Sequence, residues 1–141
     1  VMDTNTKGAF FMAQAFGRLL HEKKTTGHIV NIASIAAFKT LPSNSVYCMS
    51  KGAIGHMTKM LAHEWAQYGI NVNAICPGYI KTEINAAFFE SDKGKSYIRR
   101  FPRQRIGHDT DLNELLIYLL SPLSAFITGS LIVADDGQML A

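Results

Sequence analysis

The sequence predicts an α/β fold in which helices cover a parallel β-sheet. Short β-branched runs, which are typical of buried strands, alternate with longer segments whose apolar residues recur at helical spacing. Turn-prone segments containing glycine or proline separate several of these runs. The resulting order of strand, long helix, strand, helix and strand is the pattern of a parallel sheet whose crossover connections are helices.

The first elements are a helix, a strand and a loop. Apolar residues recur at helical spacing over Thr6–His21, which predicts an amphipathic helix. The segment 23–27 ends it, with Gly27 placed to suit a helix stop. The β-branched run His28–Ala33 predicts a buried strand, and the small, polar residues of Ser34–Ser45 predict a loop at its carboxyl end.

A second helix and strand follow. Apolar positions along one side of Val46–Tyr68 predict a long helix, which Gly69 closes. The run Ile70–Ile75 predicts the next strand, and Pro77-Gly78 breaks that strand into a loop. The loop is therefore expected at the same edge of the sheet as the one that follows the first strand.

The last third of the chain predicts a flap, a helix and a strand. Residues 82–102 mix aromatics with charges and indicate a mobile helical flap. Acidic residues begin Asp111–Leu120, as favours a helix N-terminus. Ser130–Ala134 predicts a strand, followed by an Asp135-Asp136-Gly137 turn.

Three strands are few for helices of this length. The apolar positions of the helices lie on more than one side, so a sheet of three strands would leave much apolar surface uncovered. Val1 is not an initiator methionine, and the first residues already resemble the run into a helix. We therefore expect residues 1–141 to form a single partial domain, the carboxy-terminal half of a doubly wound parallel sheet, with the amino-terminal nucleotide-binding half absent.

Composition excludes several classes of function. A net charge of +3 is small for a nucleic-acid-binding protein. No apolar run reaches the roughly 20 residues that span a bilayer, and no secretory leader is recognisable, so no membrane partner is expected. Cys48 and Cys76 match no metal spacing and predict reduced thiols in the cytoplasm. No metal site is predicted either from the scattered histidines, which are His21, His28, His56, His63 and His108.

The chemistry is predicted at Tyr47-Cys48-Met49-Ser50-Lys51. Four residues apart on a helix, the phenol and the ammonium lie one turn apart on the same face. An ammonium group stabilises the phenolate form of a phenol, so such a pair suits acid–base catalysis. Ser34 stands just past the preceding strand, and Pro77-Gly78 stands past the following one, where open α/β sheets bind ligands. Three polar elements are thus expected to converge on one edge.

The sequence resembles the short-chain dehydrogenases/reductases, in the order of motifs and over nearly the whole chain. The resembling segments are Asn5-Thr6-Lys7-Gly8, Ile29-Val30-Asn31-Ile32-Ala33-Ser34, Tyr47-x-x-x-Lys51, Ile70-Asn71-Val72-Asn73-Ala74-Ile75-Cys76-Pro77-Gly78 and Ile127-Thr128-Gly129. This resemblance implies a Rossmann-like fold. It also implies an enzyme that interconverts a ketone and a secondary alcohol with NAD or NADP.

The resemblance also implies roles for individual residues. Tyr47 would be the general acid that protonates the carbonyl oxygen, and the base in the reverse direction. Ser34 would hydrogen-bond that oxygen, and Lys51 would assist the tyrosine and bind the nicotinamide ribose. Asn5 would hold a water that links Lys51 to solvent. The nicotinamide carboxamide would be oriented by the loop residues Pro77, Gly78, Ile80 and Thr82.

The sequence departs from the family pattern in three respects. No Gly-x-Gly-x-x-Gly phosphate loop occurs among its eleven glycines, and the residues that choose NAD or NADP are not recognisable. The isolated chain is therefore expected to be inactive. Where the family has Asp-Gly-Gly, this chain has Asp135-Asp136-Gly137, which puts a tight turn in doubt.

Two of these residues also have a structural interpretation. Asn5 could cap the first helix, and Ser34 could be a loop serine bonded to backbone. A basic cluster around Phe101-Pro102 is either a solvated segment or a receiver for a phosphate-bearing acyl thioester; its members are Arg99, Arg100, Arg103 and Arg105.

The resemblance also implies a small carbonyl substrate of 3-oxoacyl or similar type. It further implies a homodimer or homotetramer. The alternatives to a reductase are a non-catalytic interaction module and, less favoured, an epimerase or dehydratase.

Overall fold

The computed structural model describes all residues from 1 to 141 and has an α/β architecture. Its sheet contains three parallel strands in the order β1-β2-β3, which are β1 (Gly27–Ile32), β2 (Ile70–Pro77) and β3 (Leu131–Ala134). Gly27 pairs with Ile70 and Ile32 with Ile75, so the carboxyl ends of β1 and β2 lie level at one edge. The predicted fold class, a Rossmann-like fragment of a parallel sheet, is confirmed.

Five α-helices connect and flank the strands. They are α1 (Ala9–Lys23), α2 (Ser45–Trp65), α3 (Glu83–Glu90), α4 (Asp92–Ile98) and α5 (Asn113–Leu120). Short 3₁₀ turns occupy Ile35–Ala37, Ala66–Tyr68, Asp109–Leu112, Pro122–Ser124 and Gln138–Leu140. The predicted flap thus contains two helices, α3 and α4, joined at Ser91, whose hydroxyl accepts a hydrogen bond from the backbone N–H of Gly94.

The first helix differs from its prediction at both ends. A π-helical segment, Asp3–Gly8, leads directly into α1, and Asn5 lies inside it instead of capping a helix. The helix ends at Lys23, and Lys24 follows in a left-handed conformation with φ of 51°. The helix therefore ends within the predicted segment 23–27, but Gly27 is not the residue that stops it. Gly27 instead begins β1, where an added Cβ would lie 2.6 Å from Cδ1 of Leu20. The glycine lets the strand pass close to the end of the helix.

The core lies between α2 and the sheet. Ile54 and Leu61 on α2 and Val72 on β2 are almost completely buried. Thr58, also buried on α2, accepts a hydrogen bond from Asn31 Nδ2 at 2.9 Å and donates one to the backbone carbonyl of Ile54 at 2.9 Å. These bonds satisfy polar groups that would otherwise destabilise the interior.

The chain end forms the turn that the sequence left in doubt. Asp136 adopts a left-handed conformation with φ of 54°, and Gly137 follows with φ of 80°. The Asp135 carboxylate accepts hydrogen bonds from the backbone N–H groups of Gly137 at 2.9 Å and Met139 at 2.7 Å. Aspartate tolerates the left-handed region better than most residues because its short side chain bonds locally, so the turn forms without a second glycine.

Much apolar surface is exposed, as expected for a sheet of three strands. Phe11 and Met12 on α1, and Phe126 before β3, are more than half exposed. One edge of β1 has no strand paired to it. None of the helices is both long enough and apolar enough to cross a membrane.

Candidate active site

The Tyr47–Lys51 pair lies in the first turns of α2, at the carboxyl edge of the sheet. The Lys51 ammonium is 5.8 Å from the centroid of the Tyr47 ring. The same ammonium donates a hydrogen bond to the backbone carbonyl of Ile32 at 2.9 Å. Because Ile32 is the last residue of β1, this bond ties the start of α2 to the end of the strand.

Lys51 lies in a partly desolvated position. Burial lowers its pKa from the ordinary lysine value, while the nearby Cys76 thiol acts in the opposite direction. Cys76 is fully buried at the end of β2, and burial raises the pKa of its thiol despite a hydrogen bond from the Ser34 backbone N–H and the charge of Lys51. The lysine therefore stands half-buried between the ends of two strands, close to the phenol.

Ser34 follows the end of β1 by two residues and is 8% exposed. Its Oγ accepts a hydrogen bond from the backbone N–H of Ala36 at 3.1 Å, which begins the short 3₁₀ turn Ile35–Ala37. The hydroxyl proton has no acceptor within the chain. The backbone-bonded loop serine is thus observed, and the same bond leaves the Ser34 hydroxyl free to donate to a bound oxygen.

Asn5 reaches the site through Ser50. Its Nδ2 donates to Ser50 Oγ at 3.1 Å, and Ser50 Oγ donates to the backbone carbonyl of Tyr47 at 2.7 Å. Ser50 is completely buried, so this chain of two hydrogen bonds fixes the first turn of α2 against the π-helical segment. Such π-helical turns are rare and frequently occur at functional sites. The Asn5 amide is engaged with Ser50 and does not contact Lys51 directly.

The loop after β2 brings the other predicted residues to the same edge. Pro77 ends β2, and the backbone N–H of Gly78 donates to the carbonyl of Ala134 at 3.1 Å, which holds the loop against β3. The backbone N–H of Thr82 donates to Asn85 Oδ1 at 2.8 Å as α3 begins. The backbone N–H of Ile80 has no acceptor within the chain and can therefore bond a ligand oxygen.

Sequence reasoning missed Tyr79, which stands in the middle of this loop. Its hydroxyl lies 3.0 Å from that of Tyr97 on α4, and its ring stacks on Phe101 at a centroid distance of 5.5 Å. The charges of Tyr47 and Cys48 act on its hydroxyl, so the side chain lies near the first turn of α2. The sequence signal was available in the recurring aromatics of residues 79–101, which we interpreted only as part of a flap.

The basic cluster divides into two parts. Arg105 Nε lies 2.6 Å from Asp136 Oδ2, and Arg103 lies 3.1 Å from Oδ1 of the same carboxylate. Arg105 is the main cause of the lowered pKa of Asp136. Arg99 and Arg100 are exposed and form no ion pair. Two of the four arginines thus bind the residue that departs from the family pattern, which the sequence did not indicate.

The remaining titratable side chains form no further site. No group of three or more histidine, cysteine, aspartate or glutamate side chains lies close enough to hold a metal ion. His28, on β1, has a buried Nδ1 without a hydrogen-bond partner. His21 packs edge-on against Tyr68 at a centroid distance of 4.6 Å, which is a packing role.

Comparisons with known proteins agree on one family. A family model described as enoyl-(acyl carrier protein) reductase matches residues 1–139. The NAD-dependent glycerol dehydrogenase of Listeria innocua is 40% identical over 141 residues, which are 99% of this chain and 54% of that protein. The chain therefore spans about half the length of this curated relative.

Solved structures also match over almost the whole length of this chain. A 4-hydroxyisoleucine dehydrogenase mutant, complexed with NADH and succinate, matches with a TM-score of 0.96 and 34% identity, over 100% of this chain and 58% of that one. The gluconate 5-dehydrogenase of Burkholderia cenocepacia, in complex with NADP and tartrate, matches with a TM-score of 0.93 and 33% identity, over 99% of this chain and 55% of that one. From the family model and these relatives together, the chain belongs to the short-chain dehydrogenases/reductases.

Proposed function

We propose that the protein carrying this chain is an NAD(P)-dependent oxidoreductase that interconverts a ketone and a secondary alcohol. The observation that carries the proposal is the Tyr47–Lys51 pair, held at the carboxyl end of β1 by the bond from Lys51 to the Ile32 carbonyl. Open α/β sheets bind their ligands at this edge. Ser34, with an uncommitted hydroxyl proton, stands at the same edge.

The side chains divide the work of proton transfer. In the direction of reduction, Tyr47 donates its hydroxyl proton to the carbonyl oxygen, and in the reverse direction it accepts the proton of the alcohol. Ser34 donates a hydrogen bond to the same oxygen and stabilises the charge that develops there. Lys51 places a positive charge beside the phenol and so stabilises the negative charge that develops on its oxygen when the proton is transferred. Asn5 positions Tyr47 through Ser50, and a water held by Asn5 completes the path to solvent.

A nicotinamide cofactor fits the residues at this edge. Lys51 would bond the ribose, and the backbone N–H of Ile80, which has no acceptor within the chain, would bond the carboxamide. Pro77, Gly78 and Thr82 belong to the same loop. When bound, the nicotinamide supplies or accepts the hydride. This partial domain has no glycine-rich phosphate loop, so we propose that the 141-residue chain alone does not turn over.

For the substrate, we favour a small hydroxylated alcohol or ketone over a 3-oxoacyl thioester. The relatives named above act, by their names, on glycerol, gluconate and 4-hydroxyisoleucine. Arg103 and Arg105, which we considered as receivers for a thioester phosphate, instead bind Asp136. We also propose a cytoplasmic protein with free Cys48 and Cys76 thiols.

A homodimer or homotetramer is proposed for the assembled protein. Phe11 and Met12 on α1 and Phe126 before β3 expose apolar surface that isolated domains rarely leave to water. The competing function is a non-catalytic interaction module. Such a module would need the exposed apolar surface but not a glycine-rich phosphate loop. The two hypotheses differ in whether the activity depends on Tyr47.

The test is reduction of small ketones by the full-length protein that contains this chain, followed through the absorbance of NADH or NADPH. Tyr47→Phe should lower kcat/KM by about 10²- to 10⁴-fold, the usual contribution of a general acid. Tyr118→Phe is the matched control, because Tyr118 lies on α5 with a partly exposed ring and no hydrogen bond to its hydroxyl. Full activity in Tyr47→Phe would exclude the proposed mechanism, and no activity in the unaltered protein would favour the interaction module.

A further inference from the structure

A pair of tyrosine hydroxyls lies beside the proposed catalytic side chains without a role in proton transfer. Tyr79 Oη and Tyr97 Oη are 3.0 Å apart, and both residues are half-buried. Tyr79 follows Gly78 at the carboxyl edge of the sheet, and its hydroxyl is near enough to Tyr47 and Cys48 for their charges to act on it. The pair therefore stands next to the place where a reacting carbonyl would lie.

Tyr79 is held rigidly. Its backbone N–H donates to Gln138 Oε1 at 2.6 Å, and its backbone carbonyl accepts from the N–H of Gly107 at 2.9 Å. Its ring packs against three aromatic rings at centroid distances of 5.5 to 5.8 Å, which belong to Phe89, Tyr97 and Phe101. A side chain fixed in this way loses little freedom on binding a ligand, which is what a selective contact requires.

The hydrogen bonds within the pair leave one donor unused. One hydroxyl donates to the other, and neither oxygen has a further partner in the chain, so one proton and the remaining lone pairs are free. Burial, followed by the bond to Tyr97, raises the pKa of Tyr79 well above its usual range. Tyr79 thus remains protonated, and it acts as a hydrogen-bond donor and acceptor only.

We propose that the Tyr79–Tyr97 hydroxyl pair binds a second hydroxyl of the substrate, in addition to the oxygen that reacts at Tyr47. This proposal rests on the proposed function and deepens it by naming the substrate class, a hydroxyketone or a polyol. A site built to bond a hydroxyl discriminates against the analogue that lacks it, because its own polar groups are then left without a partner. The pair is a specificity contact and takes no part in the chemistry.

The test compares 3-hydroxy-2-butanone with 2-butanone, which lacks the hydroxyl next to the carbonyl, as substrates of the full-length protein. For each enzyme, the ratio of kcat/KM for the two ketones is measured. Tyr79→Phe and Tyr97→Phe should each lower this ratio by about tenfold, the factor for one hydrogen bond between neutral groups, mainly through KM for the hydroxyketone. Tyr118→Phe should keep the parent's ratio. Phenylalanine preserves the packed rings, so both variants should fold.

The outcomes distinguish failure of the specificity role from failure of the proposed reductase function. An unchanged ratio in both variants, or an equal loss on the two ketones, would overturn the specificity role and leave the Tyr47 mechanism standing. A parent enzyme that prefers 2-butanone would also overturn it. Absence of any Tyr47-dependent reduction of either ketone would instead remove the proposed function, and this inference with it.

Discussion

Replacing Gly78 by alanine should disturb the loop that carries most of the predicted cofactor residues. An added Cβ would clash with Gln138 Oε1 and would lie 2.8 Å from Asp135 Cβ and 2.9 Å from Asp135 Cα. Distances below 3.0 Å require a neighbour to move, and Asp135 would have to move its backbone. Gln138 can move only by stretching or losing the 2.6 Å bond that it accepts from the backbone N–H of Tyr79.

The magnitude follows from two opposing effects. Overpacking costs about 1–3 kcal/mol in the folded state, while alanine restricts the unfolded chain and returns about 0.4–1 kcal/mol. The net destabilisation of Gly78→Ala is therefore up to about 2.5 kcal/mol. For a protein of 150–250 residues, each kcal/mol lowers Tm by about 2–4 °C. Activity should fall as well, because the shifted loop includes Ile80.

Gly52→Ala is the matched control, one residue after Lys51 on α2. An added Cβ at Gly52 meets no atom within 4 Å, so the same substitution should raise stability by about 0.5–1 kcal/mol, the helix preference for alanine. Thermal and urea unfolding of the full-length variants measure both changes. Equal shifts of the same sign in the two variants would refute the packing argument, as would a Gly78→Ala variant as stable as the parent.

Two further predictions follow from the charged groups of the site. Asp136→Asn should lower stability slightly at low salt. The difference should begin to shrink at about pH 4, near the unfolded pKa of an aspartate, and disappear as pH falls through the lowered folded pKa of Asp136, because only the ionised carboxylate pairs with Arg105. A difference that grows in acid would contradict the Arg105 pairing. Lys51→Met should abolish ketone reduction with little change in Tm, since the free-energy cost of partly burying the ammonium offsets the hydrogen bond that it donates to the Ile32 carbonyl. A large fall in Tm would show a structural role instead.

The pattern of the fold was predictable because it depends on residue periods that tertiary contacts do not override. The alternation of β-branched runs with helical spacing located the three strands and the long α1 and α2 helices to within a few residues. The left-handed stop at Lys24 was not predictable, because lysine has no intrinsic preference for it. Gly27 does prefer the left-handed conformation, but the structure uses it elsewhere: it starts β1 beside Leu20, where no side chain would fit.

The candidate site was predictable only for residues that lie close together in sequence or that follow a strand at the carboxyl edge of the sheet. Tyr47 and Lys51 share a helix face, and Ser34 ends a strand, so their placement follows from local structure. Asp136 pairs with Arg103 and Arg105 across some thirty positions, and Tyr79 pairs with Tyr97 across eighteen. The recurring aromatics of residues 79–101 signal an aromatic cluster, but they do not show which two tyrosines pair. Both pairings depend on how the flap folds over the loop after β2.

The proton-transfer geometry depends on contacts that all lie within this chain. Lys51 is fixed by the Ile32 carbonyl, Tyr47 through Ser50 by Asn5, and the Ser34 hydroxyl by the Ala36 backbone. Each of these bonds joins residues of this chain to one another, which is the kind of fixed contact that preorganised catalysis requires. The phosphate contacts, for which this chain has no glycine-rich loop, would then determine the affinity for the dinucleotide, whereas the residues of this chain would determine which oxygen receives the proton.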